Sequence, residues 1–257
     1  MRSHALPSCV VLLLAVIEIA TGNNVTAANI STKHNVKKVA TRNKIYGGHE
    51  LKPPPETLTV THEVWFDLKI SNFYSKGIHF RQRITAACFG LLAPETCKNF
   101  IELIKGYKKG ELYMSYRSTK IKSIIRDYMI ILGDIKSRFY DSSNVPRLTW
   151  PREENSISHN HAGWLGRADF GPNTTGSEFY IILRPARWLD GKHFIFGKVL
   201  SGMNGLQTVA LEETGADNKP LRPVILENCG VIYIKNQYTL SAKQFNSDED
   251  VVRVRKP

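Results

Sequence analysis

Paired cysteines are missing from this chain. Of four cysteines, Cys9 falls in an apolar leader, which leaves Cys88, Cys97 and Cys229, an odd number with no CxxC or other paired spacing. A disulfide framework is thereby excluded; three small buried apolar residues, or one disulfide beside one free thiol, remain. Also missing is the uninterrupted apolar run of about 20 residues that a spanning helix needs. The best stretch, Cys9 to Ala20, is broken by Glu18. Acid is scarce: Asp+Glu number 23 against 35 Lys+Arg, a formal net charge of +12. Such a field favours acidic partners or anionic surfaces and says nothing of fold. Aromatic residues do not interleave with the basic ones, so no stacking platform for nucleic acid is expected. Around His159 and His161 there are no cysteines or carboxylates at ligand spacing, so both read as surface histidines and no metal or cofactor is expected.

What is present begins with a short basic start, an apolar stretch and a small-residue exit at Ala20-Thr21-Gly22. Residues 1–22 therefore read as a cleaved secretory signal, and no membrane span is expected in the mature chain. Three Asn-x-Ser/Thr sites, at Asn24, Asn29 and Asn173, suit the same route. Residues 23–57 hold Lys33, Lys37, Lys38, Arg42 and Lys44, few large apolar residues, and end at three prolines. They bury too little to offset ordering entropy and read as a flexible basic arm, either a tether to acidic surfaces or a solubilising leader. Residues 237–257 read as a C-terminal tail, flexible from Gln244 onward, without a KDEL-type ending. The expected address is the secretory pathway, in the endoplasmic reticulum lumen or outside the cell. Between these ends, residues 58–236 suffice for one core, and a monomer is expected.

Periodicity supplies the elements. Val64, Phe66, Leu68 and Ile70 alternate with Glu63, Asp67 and Lys69, a half-buried strand with Trp65 as the exception. A second strand covers about Arg83 to Phe89. Pro94 opens a helix whose Cys97, Phe100, Ile101 and Ile104 share a face, and Gly106 closes it. Further strands are expected at Ile121 to Ile131, Ser177 to Leu183, His193 to Val199 and Val224 to Tyr233, with a short helix around Met203 to Val209. Many strands and two helices imply a mainly β fold, a closed antiparallel barrel with helices plugging its ends.

Residues Trp164 to Val199, reading WLGRADFGPNTTGSEFYIILRPARWLDGKHFIFGKV, resemble the ligand-binding half of the cyclophilin family of peptidyl-prolyl isomerases. The likeness extends over roughly Val60 to Ile234. It takes in Val60 to Leu68, the Pro94-Glu95-Thr96-Cys97-Lys98-Asn99-Phe100 helix start, Arg126 to Ile130 with Gly133-Asp134, and Asn228-Cys229-Gly230. With the secretory start it is most similar to the cyclophilin B type. The resemblance implies an eight-stranded barrel capped by two helices.

It also implies a chemistry. Rotation about a peptide bond costs roughly 18–20 kcal/mol, and the X-Pro bond is where both isomers are populated. The family's catalyst is an apolar slot for the proline ring plus an arginine that donates to the twisted amide. By position, Tyr128, Met129, Tyr180 and Leu189 stand for the slot wall, His193 for its edge, and Trp188 for the tryptophan that contacts cyclosporin. Ile131, Ala168, Asp169 and Glu178 take substrate-groove positions. Tyr128 and Tyr180 replace phenylalanines, and each hydroxyl must find a partner or water. Ser123 stands where the arginine belongs and Lys122 where its preceding histidine belongs; a short neutral hydroxyl cannot replace a charged five-donor fork. Lys122 offers no rescue on strand alternation. Asp169, Phe170 and Glu178 would make the groove bulkier and more acidic, and residues 135–150 contain no glycine where the family has a glycine-rich loop.

Three functions are consistent with this reading. The first is a receptor for proline-containing polypeptides, and for cyclosporin, with isomerase activity weak or lost. The second is a working isomerase in which Arg126 or Arg167 reaches the amide. The third is a barrel scaffold that engages partners through its basic arm.

Overall fold

A computed structural model describes residues 45–46, 49–50, 55–135, 153, 157–168 and 177–251. The chain divides into residues 1–43 and 44–257, and every described residue belongs to the second unit. The proposed leader, most of the basic arm, Asn24, Asn29, Asp169, Asn173 and nearly all of the glycine-free interval lie outside the described residues.

A small antiparallel ladder, β1 (Ile45–Tyr46) with β2 (His49–Glu50), comes first. Next are β3 (Thr57–Val60), then β4 (His62–Ser75) and β5 (Ile78–Cys88), which form a long hairpin. Helix α1 (Pro94–Lys105) is followed by the β6 (Tyr107–Lys109) and β7 (Leu112–Met114) hairpin. The short strands β8 (Thr119–Lys120), β9 (Ser123–Ile125) and β10 (Met129–Leu132) lead to β11 (Trp164–Arg167) and β12 (Phe179–Ile182). A 3₁₀ turn at Arg187–Leu189, β13 (Ile195–Ser201), α2 (Met203–Ala210), β14 (Val224–Ile232), β15 (Tyr238–Ser241) and α3 (Ala242–Phe245) complete the order.

Nine strands make one antiparallel sheet in the order β8-β14-β4-β5-β13-β11-β12-β10-β9. Its two edge strands, β8 and β9, are separated in the chain by only Ile121 and Lys122, so the sheet must curl until its edges approach. Backbone bonds from Ile121 to Val224 (2.8 Å) and from Ile124 to Asn218 (2.8 Å) tie that seam. Counted as one interrupted strand, 119–125 restores the expected eight. The expected strand from Ile121 to Ile131 is instead a hairpin: Asp127, at φ 68°, turns the chain, and Tyr128 N donates to Ile125 O at 3.0 Å. Aspartate tolerates that left-handed conformation, and the apolar run on either side hides the turn from a periodicity argument.

Helix α1 forms as its sequence dictates, with Pro94 in the first turn, Lys105 in the last and Gly106 at φ 93° ending it. Its first amides are capped from afar: the Glu153 carboxylate accepts from Glu95 N at 2.8 Å and from Thr96 N at 2.9 Å. The buried face packs Phe100 edge-on against Phe179 and Phe196, each at 5.0 Å. Trp65, the exception in the β4 alternation, is explained by the Arg83 guanidinium lying 4.0 Å over its ring and by Gly230 directly opposite.

Alternation along the strands splits the core in two. Leu165, Phe179, Ile181, Ile130, Leu132 and Ile124 join the interior cluster. Met129, Ile131, Trp164, Ala168, Tyr180, Ile182 and Leu189 face the other way, into a second cluster that also takes in Leu58, Val60, Leu240, Phe245 and Val251. The segment expected to be a flexible tail therefore contributes core through Val251. β15 pairs with β3, a capping box at Ser241 and Gln244 starts α3, and Phe245 packs on Trp164 at 5.8 Å. Sequence reading missed this because its few apolar residues are spaced among charges, and their burial depends on a partner strand far away in sequence.

Candidate functional site

The outward-facing cluster carries the slot positions. Strand register aligns them: Ser123 pairs with Ile131, Ile131 with Tyr180, Tyr180 with Gly166, and Gly166 with Ile195. Residues directly opposite in a ladder share a face. Ser123, Ile131, Tyr180 and Gly166 thus form one row across the sheet, with Ile125, Met129 and Ile182 as the adjacent row. Strands are about 4.8 Å apart, so Ser123 stands roughly 10 Å from Tyr180 along that row. A serine side chain, two heavy atoms long, does not reach across such a gap.

The slot's rim and floor differ sharply in exposure. Tyr128 and Trp188 are 44% and 38% exposed, and their rings meet edge-on at 6.2 Å. Met129 and Tyr180 are 0% exposed and Leu189 is 1% exposed. His193 sits at the edge, its backbone donating to Leu189 O at 3.0 Å and its ring standing perpendicular to Tyr180 at 6.0 Å. Ala168 is buried and donates to Glu178 O at 3.1 Å, which holds β11 beside the start of β12.

The Tyr180 hydroxyl has its partner. It lies 2.7 Å from His159 Nε2, and His159 Nδ1 lies 3.0 Å from Asp190 Oδ1. Asp190 also accepts from Ser158 Oγ at 2.6 Å and from His159 N at 2.7 Å. Burial alone would raise the Asp190 carboxyl, but hydrogen bonds from His159 and Ser158 outweigh it and leave the group below its usual range. Burial, followed by the nearby Asp190 charge, pushes the Tyr180 phenol well up. His159 is therefore not the surface histidine expected from sequence. It is fully buried, and both its ring nitrogens are engaged. His161 does reach the surface, 3.3 Å from Asp248. Among the described residues no group of three His, Cys, Asp or Glu is placed to hold a metal ion. The one signal that could have found His159 was the requirement that a buried tyrosine hydroxyl be satisfied.

The cations near this face are also placed. Arg167 pairs with Phe179 and is buried, so it follows Phe179 and Leu165 to the barrel's interior side, away from Tyr180. Arg126 is exposed on the β9–β10 turn. Lys122 precedes β9, so strand alternation does not govern it as expected; its ammonium lies 2.6 Å from Glu178 Oε1. That pair offsets the acidity expected of Glu178 and holds a cation at the groove. Arg184 pairs with Asp127 at 3.6 Å and Arg187 approaches Asp190 at 3.8 Å. The three cysteines, Cys88, Cys97 and Cys229, are free and buried, which settles the open alternative against a disulfide among them.

A curled antiparallel sheet with helices packed against it, carrying Met129, Tyr180 and Leu189 in one buried cluster while Tyr128 and Trp188 stay exposed, defines a mainly β, barrel-like class of protein. The chain belongs to the cyclophilin family: residues 75–231 match the model of the cyclophilin type peptidyl-prolyl cis-trans isomerase/CLD. It is 32% identical over 187 residues to peptidyl-prolyl cis-trans isomerase D of Saccharomyces cerevisiae, covering 72% of this chain and 78% of that one. It is 32% identical over 175 residues to the rhodopsin-specific isozyme of Calliphora vicina, covering 68% and 71%. To peptidyl-prolyl cis-trans isomerase-like 1 of Rhizopus delemar it is 41% identical over 129 residues, covering 49% and 73%.

Proposed function

We propose that this cyclophilin acts in the secretory pathway as a receptor for extended, proline-containing segments, and that its isomerase activity is weak or lost. The observation that carries the reading is the row Ser123, Ile131, Tyr180, Gly166 on one face. That row puts Ser123 on the same face as Tyr180, which supports the reading that a serine stands where the family has its amide donor. Preorganised donors aimed at developing charge are commonly worth about 10²–10³ in rate, and Ser123 supplies neither the charge nor the reach. Lys122 is engaged with Glu178, and Arg167 belongs to the opposite face. The apolar floor of Met129, Tyr180 and Leu189 and the rim of Tyr128 and Trp188 support binding without turnover, cyclosporin included. Among the described residues no helix is long and apolar enough to cross a membrane. The leader and sequons support a secretory, cyclophilin B-like address, and the basic arm supports contact with acidic surfaces.

Prolyl isomerisation of a standard Ala-Pro peptide, measured for the natural chain and for Ser123→Arg, tests the proposal. The expected result is little turnover in the natural chain and a gain on restoring the guanidinium. Full family-like turnover by the natural chain would overturn it in favour of a working folding isomerase.

A further inference from the structure

We infer that Asp190 and His159 hold Tyr180 in a retracted position that closes the floor of the proline slot, making Tyr180 the specificity-determining residue and His159 its positioning residue. This rests on the receptor reading above and adds the element that regulates entry.

The hold has a direction set by chemistry. Asp190 accepts from Ser158 Oγ and His159 N, so its carboxylate is fixed in place and presents Oδ1 to His159 Nδ1. A neutral imidazole that donates from Nδ1 to a carboxylate keeps Nε2 as an acceptor. The Tyr180 O–H is then the donor to Nε2 at 2.7 Å. His159 and Tyr180 are wholly buried and Asp190 nearly so, so water does not compete for these bonds.

A second observation fixes the ring from its other side. A Cβ on Gly166 would fall 2.1 Å from both Cζ and Oη of Tyr180. The phenol end therefore rests directly on the Gly166 backbone, in space that any larger residue would fill. Glycine beneath, histidine beyond and β10 alongside together determine where the ring lies. The consequence shows in exposure: Tyr128 and Trp188 stand in water, while their chain neighbours Met129 and Leu189, with Tyr180, do not. For a proline ring to reach the floor, Tyr180 must swing off Gly166 and release His159. A phenylalanine at this position would have no hydroxyl to be held by.

The test uses the full chain, with cyclosporin A and an Ala-Ala-Pro-Phe tetrapeptide as probes, read by titration calorimetry. Tyr180→Phe is expected to bind both about tenfold more tightly, the equivalent of one net hydrogen bond no longer broken on entry. Equal or weaker binding by Tyr180→Phe overturns the inference. In parallel, ¹⁵N NMR of the His159 ring is expected to show a protonated Nδ1 and an accepting Nε2 whose signal moves in Tyr180→Phe; an unmoved Nε2 also overturns it. If neither chain binds either probe, the receptor reading fails, while the ring signal still decides whether the hold exists. Should Tyr180→Phe fold poorly, His159→Leu releases the ring from the other end and is expected to give the same gain.

Discussion

Lys198→Met isolates the cost of a buried charge beneath the slot-bearing wall. Lys198 lies on β13 and is 1% exposed; its ammonium donates to Ala162 O and Ser247 O and stands 5.1 Å over the Trp164 ring. Burial lowers its pKa from the ordinary 10.5 to about 8, with Asp248 opposing. Because the folded value is depressed, the unfolded chain binds this proton more tightly. Below pH 8 both states are protonated and the whole cost of burial is carried. Between pH 8 and 10.5 only the unfolded state holds the proton, so stability climbs with pH. At about 1.4 kcal/mol per pH unit the full climb is about 3 kcal/mol. Cys97 and Cys229, whose thiols are held above their ordinary value, pull the opposite way as pH rises past 9. The climb is therefore read as a difference between the natural chain and Lys198→Met, from urea midpoints at pH 7, 8, 9 and 10. The natural chain should gain on the variant by about 1 kcal/mol per pH unit above pH 8. Parallel pH profiles for the two chains would refute the reasoning.

Two further outcomes are expected. Gly166→Ala should destabilise the fold by about 1–3 kcal/mol, read from a lowered urea midpoint, since its Cβ would collide with the Tyr180 phenol, and adding Tyr180→Phe should recover part of the loss; an unchanged midpoint in the single variant would show that the ring does not rest there. Cys88, Cys97 and Cys229 should ignore a thiol reagent in the folded chain and react on unfolding, because all three are buried and two are shifted away from the thiolate, Cys97 first by its hydrogen bond with Cys88 and Cys229 by burial. Rapid labelling of the native protein would contradict that placement.

Much of the barrel could be read along the chain. Alternation found β4, the i, i+3, i+4 stripe found α1, and the expected strand from Val224 to Tyr233 matches β14. Illegible elements share one cause: their signal is not local. The β9–β10 turn is hidden inside an apolar stretch, β15 becomes a strand only against β3, and α1 takes its cap from Glu153, 58 residues away. The Lys122–Glu178 pair was equally illegible, because its two residues lie 56 positions apart.

Within the site, the same division holds for individual atoms. The residue types on this face, Ser123 and Tyr180 among them, are facts of covalent chemistry and were set by sequence alone. So was the need of a Tyr180 hydroxyl for a partner. Which partner it took was decided only when folding laid β11 beside β12 and brought the His159 segment against the 3₁₀ turn, since a hydrogen bond depends on a few tenths of an ångström that no spacing along the chain encodes. The same folding closed the floor while leaving its aromatic rim in water.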